Sequence, residues 1–263
     1  MQVSKSGFYY WKSKPTSPRS KQNNEVLYHI IQAHKASRGT YGSPRIHHEL
    51  NAKGIKVSLN KVASMMQQHG IHASTSIRHK KAKIARNTRG FTMNVLDRGF
   101  SADKPNKKWV SDTTFVHTRQ GWLYLATIID LYSRKVVGWS MSNSNNTSLV
   151  IDALKMALKN KPKRQRVLLH SDQGSTYRAD SYLSLFEKNN IQQSMSAKGN
   201  CYDNAVAESF FGTLKTELIY EQTYHSREQA RQSIFEYIEV FYNRVRRHST
   251  LNYQSPENFE EVF

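Results

Sequence analysis

Apolar residues in the first quarter of the chain recur at the spacing of helices. Their period predicts a helix over about 24–34. A second helix is predicted to carry Pro44 in its first turn and to end before Gly54, and a third to run from about Asn60 to Gly70. Proline is favoured in the first turn of a helix and glycine just after its end, so both residue types mark these boundaries.

The predicted helices lie in a basic segment, and the residues before and after it differ from it in composition. Two short helices separated by a turn in such a context favour a helix-turn-helix DNA-binding domain over 22–75. Residues 1–21 are predicted to form a basic, aromatic arm, whose rings either stack on bases or pack on a neighbouring domain. Residues 76–105 combine many Lys and Arg with little apolar periodicity, which is typical of a basic linker. The charges of that linker are either solvated or follow DNA phosphates.

From about residue 106 onward the pattern changes to short β-branched and aromatic runs separated by turn residues. Three successive strands are followed by helices that alternate with strands, which is the order of a ribonuclease H-like α/β domain. We therefore predict an α/β fold, with a ribonuclease H-like core and a C-terminal helical extension over 106–263, preceded by a small all-α domain. Trp109, Trp122 and Trp139 are expected in its core rather than as groups that stack on bases. The predicted elements are strands 109–117, 122–130, 135–141, 166–171 and 191–195, helices 148–158 and about 179–188, and further helices from about Asn204 and after Ser226.

Three acidic residues stand in contexts that differ from an ordinary solvated surface. Asp112 lies in the run WVSDTTFV, which is typical of a buried strand, and Asp172 follows the apolar run VLLHS. Glu208 lies on a predicted amphipathic helix, with Asp203 available as the N-cap residue. A carboxylate in or at the end of a buried strand is costly unless it is compensated, and a divalent metal ion is a natural compensation. The predicted apolar stripe of the helix is Ala207, Phe211, Leu214 and Leu218.

Three carboxylates from two strands and one helix suit phosphoryl transfer with two metal ions. Magnesium and manganese ions prefer oxygen ligands, and two ions ~3.5–4 Å apart can activate the attacking oxygen and stabilise the leaving one. Asp112, Asp172 and Glu208 are therefore the candidate catalytic and metal-binding residues. Asp130 competes with them, but it precedes a turn, where Asp commonly makes local hydrogen bonds, so we expect it to be structural.

Composition points to a polyanionic partner. The chain has 263 residues, with 39 Lys and Arg against 20 Asp and Glu, and a net charge of +19. A charge of this size favours nucleic acid as the partner. The single cysteine, Cys201, excludes an internal disulfide framework and fits a reducing compartment. No apolar run approaches the ~18 residues of a membrane span, so we expect a cytoplasmic protein without a membrane partner.

Several separated motifs resemble the catalytic half of bacterial insertion sequence 3 family transposases, over nearly the whole chain. The two aspartates and the glutamate, with 35 residues between Asp172 and Glu208, are similar to those of DDE recombinases, which include transposases and retroviral integrases. The matching motifs are WVSDTTF (109–115), IIDLYSRKVVGW (128–139), HSDQGSTY (170–177), GNCYDNAVAESFFGTLKTEL (199–218) and YNRVRRHSTLNYQSPENF (242–259).

The resemblance implies a DDE transposase that nicks DNA at the ends of an insertion element and joins the freed 3′ end to target DNA. It implies two Mg²⁺ ions per active site, with Mn²⁺ as a possible substitute, and double-stranded DNA as the substrate. A homo-oligomer on DNA is expected. In such relatives the active transposase is often a fusion of two reading frames, so an upstream-frame product is a further expected partner. The location expected from the resemblance is the bacterial chromosome.

Basic residues supply the candidate DNA contacts. Lys215 lies on the helix face of Glu208 and, as the resemblance implies, contacts DNA near the scissile phosphate, unless it is merely solvated. The terminal block that contains Arg244 and Arg247 either contacts phosphates or closes the core by packing. The other candidates are Arg45 and Lys61 in the helix-turn-helix segment and Lys80 and Lys81 in the linker.

Two other functions remain open at the level of sequence. The first is a DNA-binding regulator derived from a mobile element, whose core is catalytically silent. The second is a ribonuclease H-like nuclease that hydrolyses DNA without joining it. The presence of all three acids in matching motifs argues against a silent core.

Overall fold

The chain divides into two compact units, residues 1–74 and 75–263. The computed structural model describes residues 4–13, 17–74, 95–96, 99–196 and 204–262, except for the side chains of residues 11 and 13.

The first unit is helical. Its helices are α1 (Lys5–Ser13), α2 (Pro18–Ala36), α3 (Ser43–Ala52) and α4 (Leu59–Gln68). Apolar residues at helical spacing form its core, among them Ile30, Ile46 and Val62, which are fully buried. Gly54 follows α3 with φ +79°, a left-handed conformation that glycine adopts without steric cost.

The beginning of the first unit differs from the prediction. α2 begins at Pro18, earlier than predicted, because the Ser17 side chain accepts a hydrogen bond from the Ser20 amide and proline suits the first turn. The predicted N-terminal arm contains a helix, α1, on which Phe8, Tyr9 and Tyr10 are exposed.

The second unit is built on a five-stranded mixed sheet in the order β3-β2-β1-β4-β5. β1 pairs antiparallel with β2, and β2 with β3, whereas β4 runs parallel to β1 and β5 parallel to β4. The strands are β1 (Lys108–Thr118), β2 (Gly121–Asp130), β3 (Val136–Ser142), β4 (Val167–Ser171) and β5 (Ile191–Met195).

The pairing of β1 changes along its length. β1 pairs with β4 only through the three residues from Lys108 to Val110, whereas its pairing with β2 continues to Thr118. Within the described residues, β1 is therefore paired on one side only beyond Val110. Asp112 lies just past the point where β1 and β4 separate.

Helices cover both faces of the sheet. One face carries the main hydrophobic core, in which Trp109 packs with the apolar residues of α5 and α6. α8 is continued by a π-helical segment, Glu236–Tyr242. The helices of this unit are α5 (Thr147–Lys159), α6 (Asp180–Lys188), α7 (Ala205–Glu217), α8 (Arg227–Phe235) and α9 (Pro256–Glu261).

The C-terminal basic block packs against the core. The buried Arg246 guanidinium donates hydrogen bonds of 2.8 and 2.7 Å to the two carboxylate oxygens of Glu217. The Asn243 side chain bonds both the amide and the carbonyl of Val136. Arg247 donates to the Tyr253 carbonyl at 2.8 Å. Of the two roles considered for this block, packing is therefore observed.

The predicted burial of the tryptophans holds only in part. Trp109 is fully buried and Trp139 is half-buried, but 45% of the Trp122 surface is exposed. Trp122 lies beside the Arg119–Gly121 turn, at the end of the β1–β2 hairpin. The expectation that it belongs to the core was wrong, because alternation along a strand does not reveal where the covering helices end. Among the described residues, no helix is both long and apolar enough to span a membrane.

Candidate active site

Asp112 is the most desolvated of the three candidate acids. It is half-buried in β1, and its Oδ1 accepts a hydrogen bond of 2.7 Å from the Thr113 amide. Burial, together with the charges of Asp172 and Glu208, raises the pKa of Asp112 to about 7. A carboxyl group in this setting favours its neutral form until a cation compensates its charge.

Asp172 follows the last residue of β4 and is exposed. Its Oδ1 accepts a hydrogen bond of 2.9 Å from the Gly174 amide. A Cβ atom on Gly174 would lie 2.9 Å from that same oxygen, so a glycine here leaves room for the turned-back carboxylate. The predicted position of Asp172 at the end of a strand is confirmed, since β4 ends at Ser171.

Glu208 lies on α7, whose apolar stripe packs on the core. The predicted stripe is confirmed, since Ala207, Phe211 and Leu214 are buried, while Glu208 itself is exposed. Asn204 holds the N-cap position, one residue later than predicted, and Asp203 lies outside the described residues.

The start of α7 is tied to β1 beside the acids. The buried Asn204 side chain donates a hydrogen bond of 3.2 Å to the carbonyl of Ser111. Since Ser111 directly precedes Asp112 in β1, this bond places the helix that carries Glu208 next to the strand that carries Asp112. Asn204 thus helps to position α7 relative to β1.

The three acids face one another without forming a coordination shell. The charges of Asp172 and Glu208 both raise the pKa of Asp112, so the three side chains lie near one another. In the part of the chain that the structure describes, no group of three or more His, Cys, Asp or Glu side chains is close enough to hold a metal ion.

Lys215 lies between the acids and an aromatic surface. Its ammonium group is 5.5 Å from the centroid of the Phe115 ring, within the range of a cation–π contact. Partial burial lowers the pKa of Lys215, and the charge of Asp112 opposes that effect. The predicted position of Lys215 on the same side as the candidate acids agrees with this interaction.

The sequence did not single out Tyr177 and Ser111, two buried polar residues near Asp112. The Tyr177 hydroxyl and Ser111 Oγ are 3.1 Å apart, and burial raises the pKa of Tyr177 well above its ordinary value. His170 Nδ1 lies 2.8 Å from Ser194 Oγ, which also accepts a hydrogen bond from the Leu96 amide. Isolated Ser and Tyr residues in apolar runs carry no signal that distinguishes them from ordinary core positions.

Asp130 has the structural role predicted for it. It is fully buried, and its Oδ2 and Oδ1 accept hydrogen bonds of 2.6 and 2.8 Å from the amides of Asn106 and Tyr132. Burial raises the pKa of Asp130 to about 6, and these two hydrogen bonds oppose that shift. Its carboxylate oxygens are thus engaged by the backbone on either side of the strand end.

The predicted DNA contacts have different surroundings. In the first unit, Arg45 on α3 lies 5.6 Å from the centroid of the Tyr41 ring, and Lys61 lies in the first turn of α4. In the second unit, the exposed Arg244 is 3.4 Å from Glu257, and Arg247 is engaged with the backbone. Lys80 and Lys81 lie outside the described residues.

Models of known protein families match both units of the chain. A family model for an HTH-like domain matches residues 21–81. Two models for an integrase core domain match residues 102–201 and 189–256.

Two relatives and one solved structure illustrate the likeness. Transposase InsF for insertion sequence IS3A of Escherichia coli K12 is 40% identical over 262 residues, which cover 99% of this chain and 91% of that protein. A 31 kDa protein of insertion element IS600 of Shigella sonnei is 38% identical and covers 99% and 96% of the two chains. A chain in the cryo-electron microscopy structure of the simian T-cell lymphotropic virus intasome with PP2A regulatory subunit B56 gamma gives a TM-score of 0.50. That chain is 14% identical, the match covers 88% of this chain and 74% of that one, and the likeness concerns the fold.

These matches and the mixed sheet with its flanking helices define an integrase-type DNA-recombining protein with a helix-turn-helix-like domain. The chain belongs to the IS3 family of transposases. The family and the ribonuclease H-like fold predicted from the motifs are thereby confirmed. Transposition is thus its function, and DNA is its partner.

Proposed function

We propose that this transposase nicks one DNA strand at the end of an insertion element and joins the released 3′ end to target DNA, using Asp112, Asp172 and Glu208. The proposal is supported by the nearness of Asp112 to both other acids, whose charges raise its pKa. The residues come from two neighbouring strands and a helix, so the tertiary fold is needed to bring them together.

The donor set fits Mg²⁺ or Mn²⁺. Three carboxylates offer the hard oxygen ligands that these ions prefer. The raised pKa of Asp112, caused by burial and by two neighbouring acids, is the expected signature of a site whose charge a cation would balance. Asp112, Asp172 and Glu208 are the residues that would hold the two ions. When bound, such ions supply activation of the attacking oxygen and stabilisation of the leaving oxygen.

The protein's own groups position the DNA strand around these acids. Lys215 can hold a phosphate beside Asp112, with which it already interacts. The exposure of Asp172 and Glu208 leaves these acids accessible to a bulky duplex. The attacking group is an oxygen, from water for nicking and from the DNA 3′-hydroxyl for joining, so no covalent intermediate with the protein is required.

DNA recognition is divided between the two units in this proposal. The basic residues Arg45 and Lys61 on α3 and α4 would contact the phosphates of the element end. Lys80, Lys81, Arg244 and Arg247 extend the set of predicted contacts. A homo-oligomer on DNA, with an upstream-frame product or fusion as a further partner, would bring two element ends together.

The test is cleavage of labelled element-end DNA in Mg²⁺ by the full chain and by Glu208→Gln. We expect the variant to lose nicking by more than about 100-fold, the upper range for removing a supporting partner of a catalytic metal. The matched control is Glu228→Gln, an exposed glutamate on α8, which should cleave like the unchanged protein. Cleavage by Glu208→Gln at the unchanged rate would refute the assignment.

Strand joining is tested separately with pre-cut end DNA that carries a free 3′-hydroxyl. A joined product that requires Mg²⁺ and Glu208 supports a transposase that performs both steps. Nicking of intact DNA without any joined product would instead identify a nuclease. Binding of end DNA without either reaction would identify a silent regulator.

A further inference from the structure

A cavity of about 380 Å³ opens beside β1, and its lining includes Lys215, which interacts with Asp112. Phe115, His117 and Trp122 line it from the β1–β2 hairpin, and Lys215 and Tyr220 line it from α7 and the segment that follows. Phe115 is three residues from Asp112 on β1, so their side chains lie on opposite faces of the strand. Lys215, which contacts the Phe115 ring and interacts with Asp112, therefore links the cavity to the proposed reaction site.

The strand side of this cavity is a continuous aromatic surface. The ring centroids of Phe115 and Trp122 are 5.0 Å apart, and those of His117 and Trp122 are also 5.0 Å apart. The Phe115 side chain is 53% exposed and that of Trp122 45% exposed. Burying rings of this size against other apolar groups would be favourable, so their exposure beside an active site indicates a ligand-binding surface.

Lys215 connects the aromatic surface to the acids. Its ammonium group lies over the Phe115 ring and interacts with Asp112. A phosphate bound at Lys215 would thus have the acids on one side and the aromatic rings on the other. A nucleotide carries groups that match both parts of this surface. Its charged phosphate would bind Lys215, and its flat base, one sugar away, would stack on the aromatic rings.

We propose that this cavity, the aromatic pocket, binds one unpaired base of the DNA strand whose phosphate lies at Lys215. This inference rests on the proposed function and adds a subsite to it. A base within a duplex is stacked on both faces, so it must leave its pair before it can stack on Phe115 or Trp122. The aromatic pocket would therefore hold the terminal base pairs open while the backbone is positioned at the acids.

Charge and shape favour a nucleotide over an apolar protein segment. The pocket combines aromatic rings with a lysine, and the chain carries a net charge of +19, which attracts a polyanion. Stacking of bases on aromatic side chains is tolerant of sequence, since every base offers a flat face. The aromatic pocket is thus expected to recognise an unpaired base of any identity.

The test compares the binding of two end DNAs, one fully paired and one with its terminal pairs mismatched, to the full chain in EDTA. Wild-type protein should bind the mismatched end about tenfold more tightly, a difference typical of stacking one base. Trp122→Ala should abolish that preference, whereas Trp122→Phe should keep most of it. The matched control is Phe235→Ala, which removes an aromatic side chain that is 51% exposed outside the pocket and should leave the preference unchanged.

A 2-aminopurine at the terminal position gives an independent readout, because its fluorescence responds to stacking. Equal affinity of Trp122→Ala and wild type for the mismatched end, with the same fluorescence, would overturn the inference. The inference would also be overturned if Trp122→Ala changed the oligomeric state and nothing else. This failure is distinguishable from failure of the proposed function, because the EDTA assay requires no chemistry and the Glu208→Gln cleavage test requires no pocket.

Discussion

The two glutamates of α7 differ in their exposure to solvent. Glu208 and Glu217 lie on one helix, nine positions apart, which places them on opposite sides of it. Glu208 is exposed beside Asp112, whereas the Glu217 side chain is only 7% exposed and accepts hydrogen bonds from Arg246 and Tyr237. Two glutamates of one helix thus serve a proposed chemical role and a structural one.

The buried pair of Glu217 and Arg246 predicts a large loss of stability on removal of one partner. Glu217→Gln should lower the free energy of unfolding by about 3 kcal/mol, because Arg246 would keep a buried charge without compensation. Urea denaturation measures this change. The matched control is Arg244→Gln, which breaks an ion pair whose arginine is 61% exposed and should cost less than about 1 kcal/mol. Equal losses in the two variants would contradict the argument.

Close packing between elements determines where the sheet and its covering helix meet. Gly138 of β3 lies against α5, and a Cβ atom at this position would be 2.3 Å from the Ala153 carbonyl oxygen. It would also be 2.8 Å from the backbone nitrogen of Ala157. Since backbone atoms cannot rotate away, the whole helix would have to move. The absence of a side chain at Gly138 therefore sets the distance between β3 and α5.

Gly138→Ala should destabilise the second unit by about 3 kcal/mol, at the upper end of the cost of overpacking. Thermal unfolding followed by circular dichroism measures the effect. The control is Gly212→Ala on α7, where a Cβ atom would meet nothing within 4 Å. That substitution should stabilise the protein by about 0.5–1 kcal/mol, because alanine loses less backbone entropy in a helix. Stabilisation by both substitutions would refute the packing argument.

At the scale of the whole molecule, net charge governs how the transposase meets DNA. An excess of 19 positive charges predicts strong, salt-dependent attraction to the phosphate backbone. This attraction carries no sequence information, so recognition of a particular element end must come from base contacts or DNA shape. The two units contribute to one binding reaction through their summed charge.

Replacing Arg45 and Lys61 together with Gln should weaken binding to all duplexes alike. The slope of log affinity against log salt concentration should fall by about 2, roughly 1 for each lost phosphate contact. Fluorescence anisotropy at several salt concentrations measures that slope. The control is Lys155→Gln on α5, whose side chain is 62% exposed and pairs with Asp152, and which should leave the slope unchanged. An unchanged slope in the double variant would remove these two residues from the DNA interface.

The sequence by itself determined the fold class, the family and most of the elements, although it did not reveal α1. The period of apolar residues is a local property. Capping residues also mark helix ends locally, as at Ser226, whose side chain accepts a hydrogen bond from the Gln229 amide. The three acids could be selected as candidate catalytic residues for a similar reason. Each lies in a short motif that can be recognised without knowing what surrounds it.

Only the tertiary structure decided how each of these residues is surrounded. Alternation along β1 and β2 shows that His117 and Trp122 share a face, but it does not show that the covering helices stop short of them. The sequence likewise gives no sign that β4 leaves β1 after Val110, which opens the edge beside Asp112. Burial, electrostatic coupling and the aromatic pocket depend on distances between elements far apart in the chain, and such distances are fixed only when the elements pack.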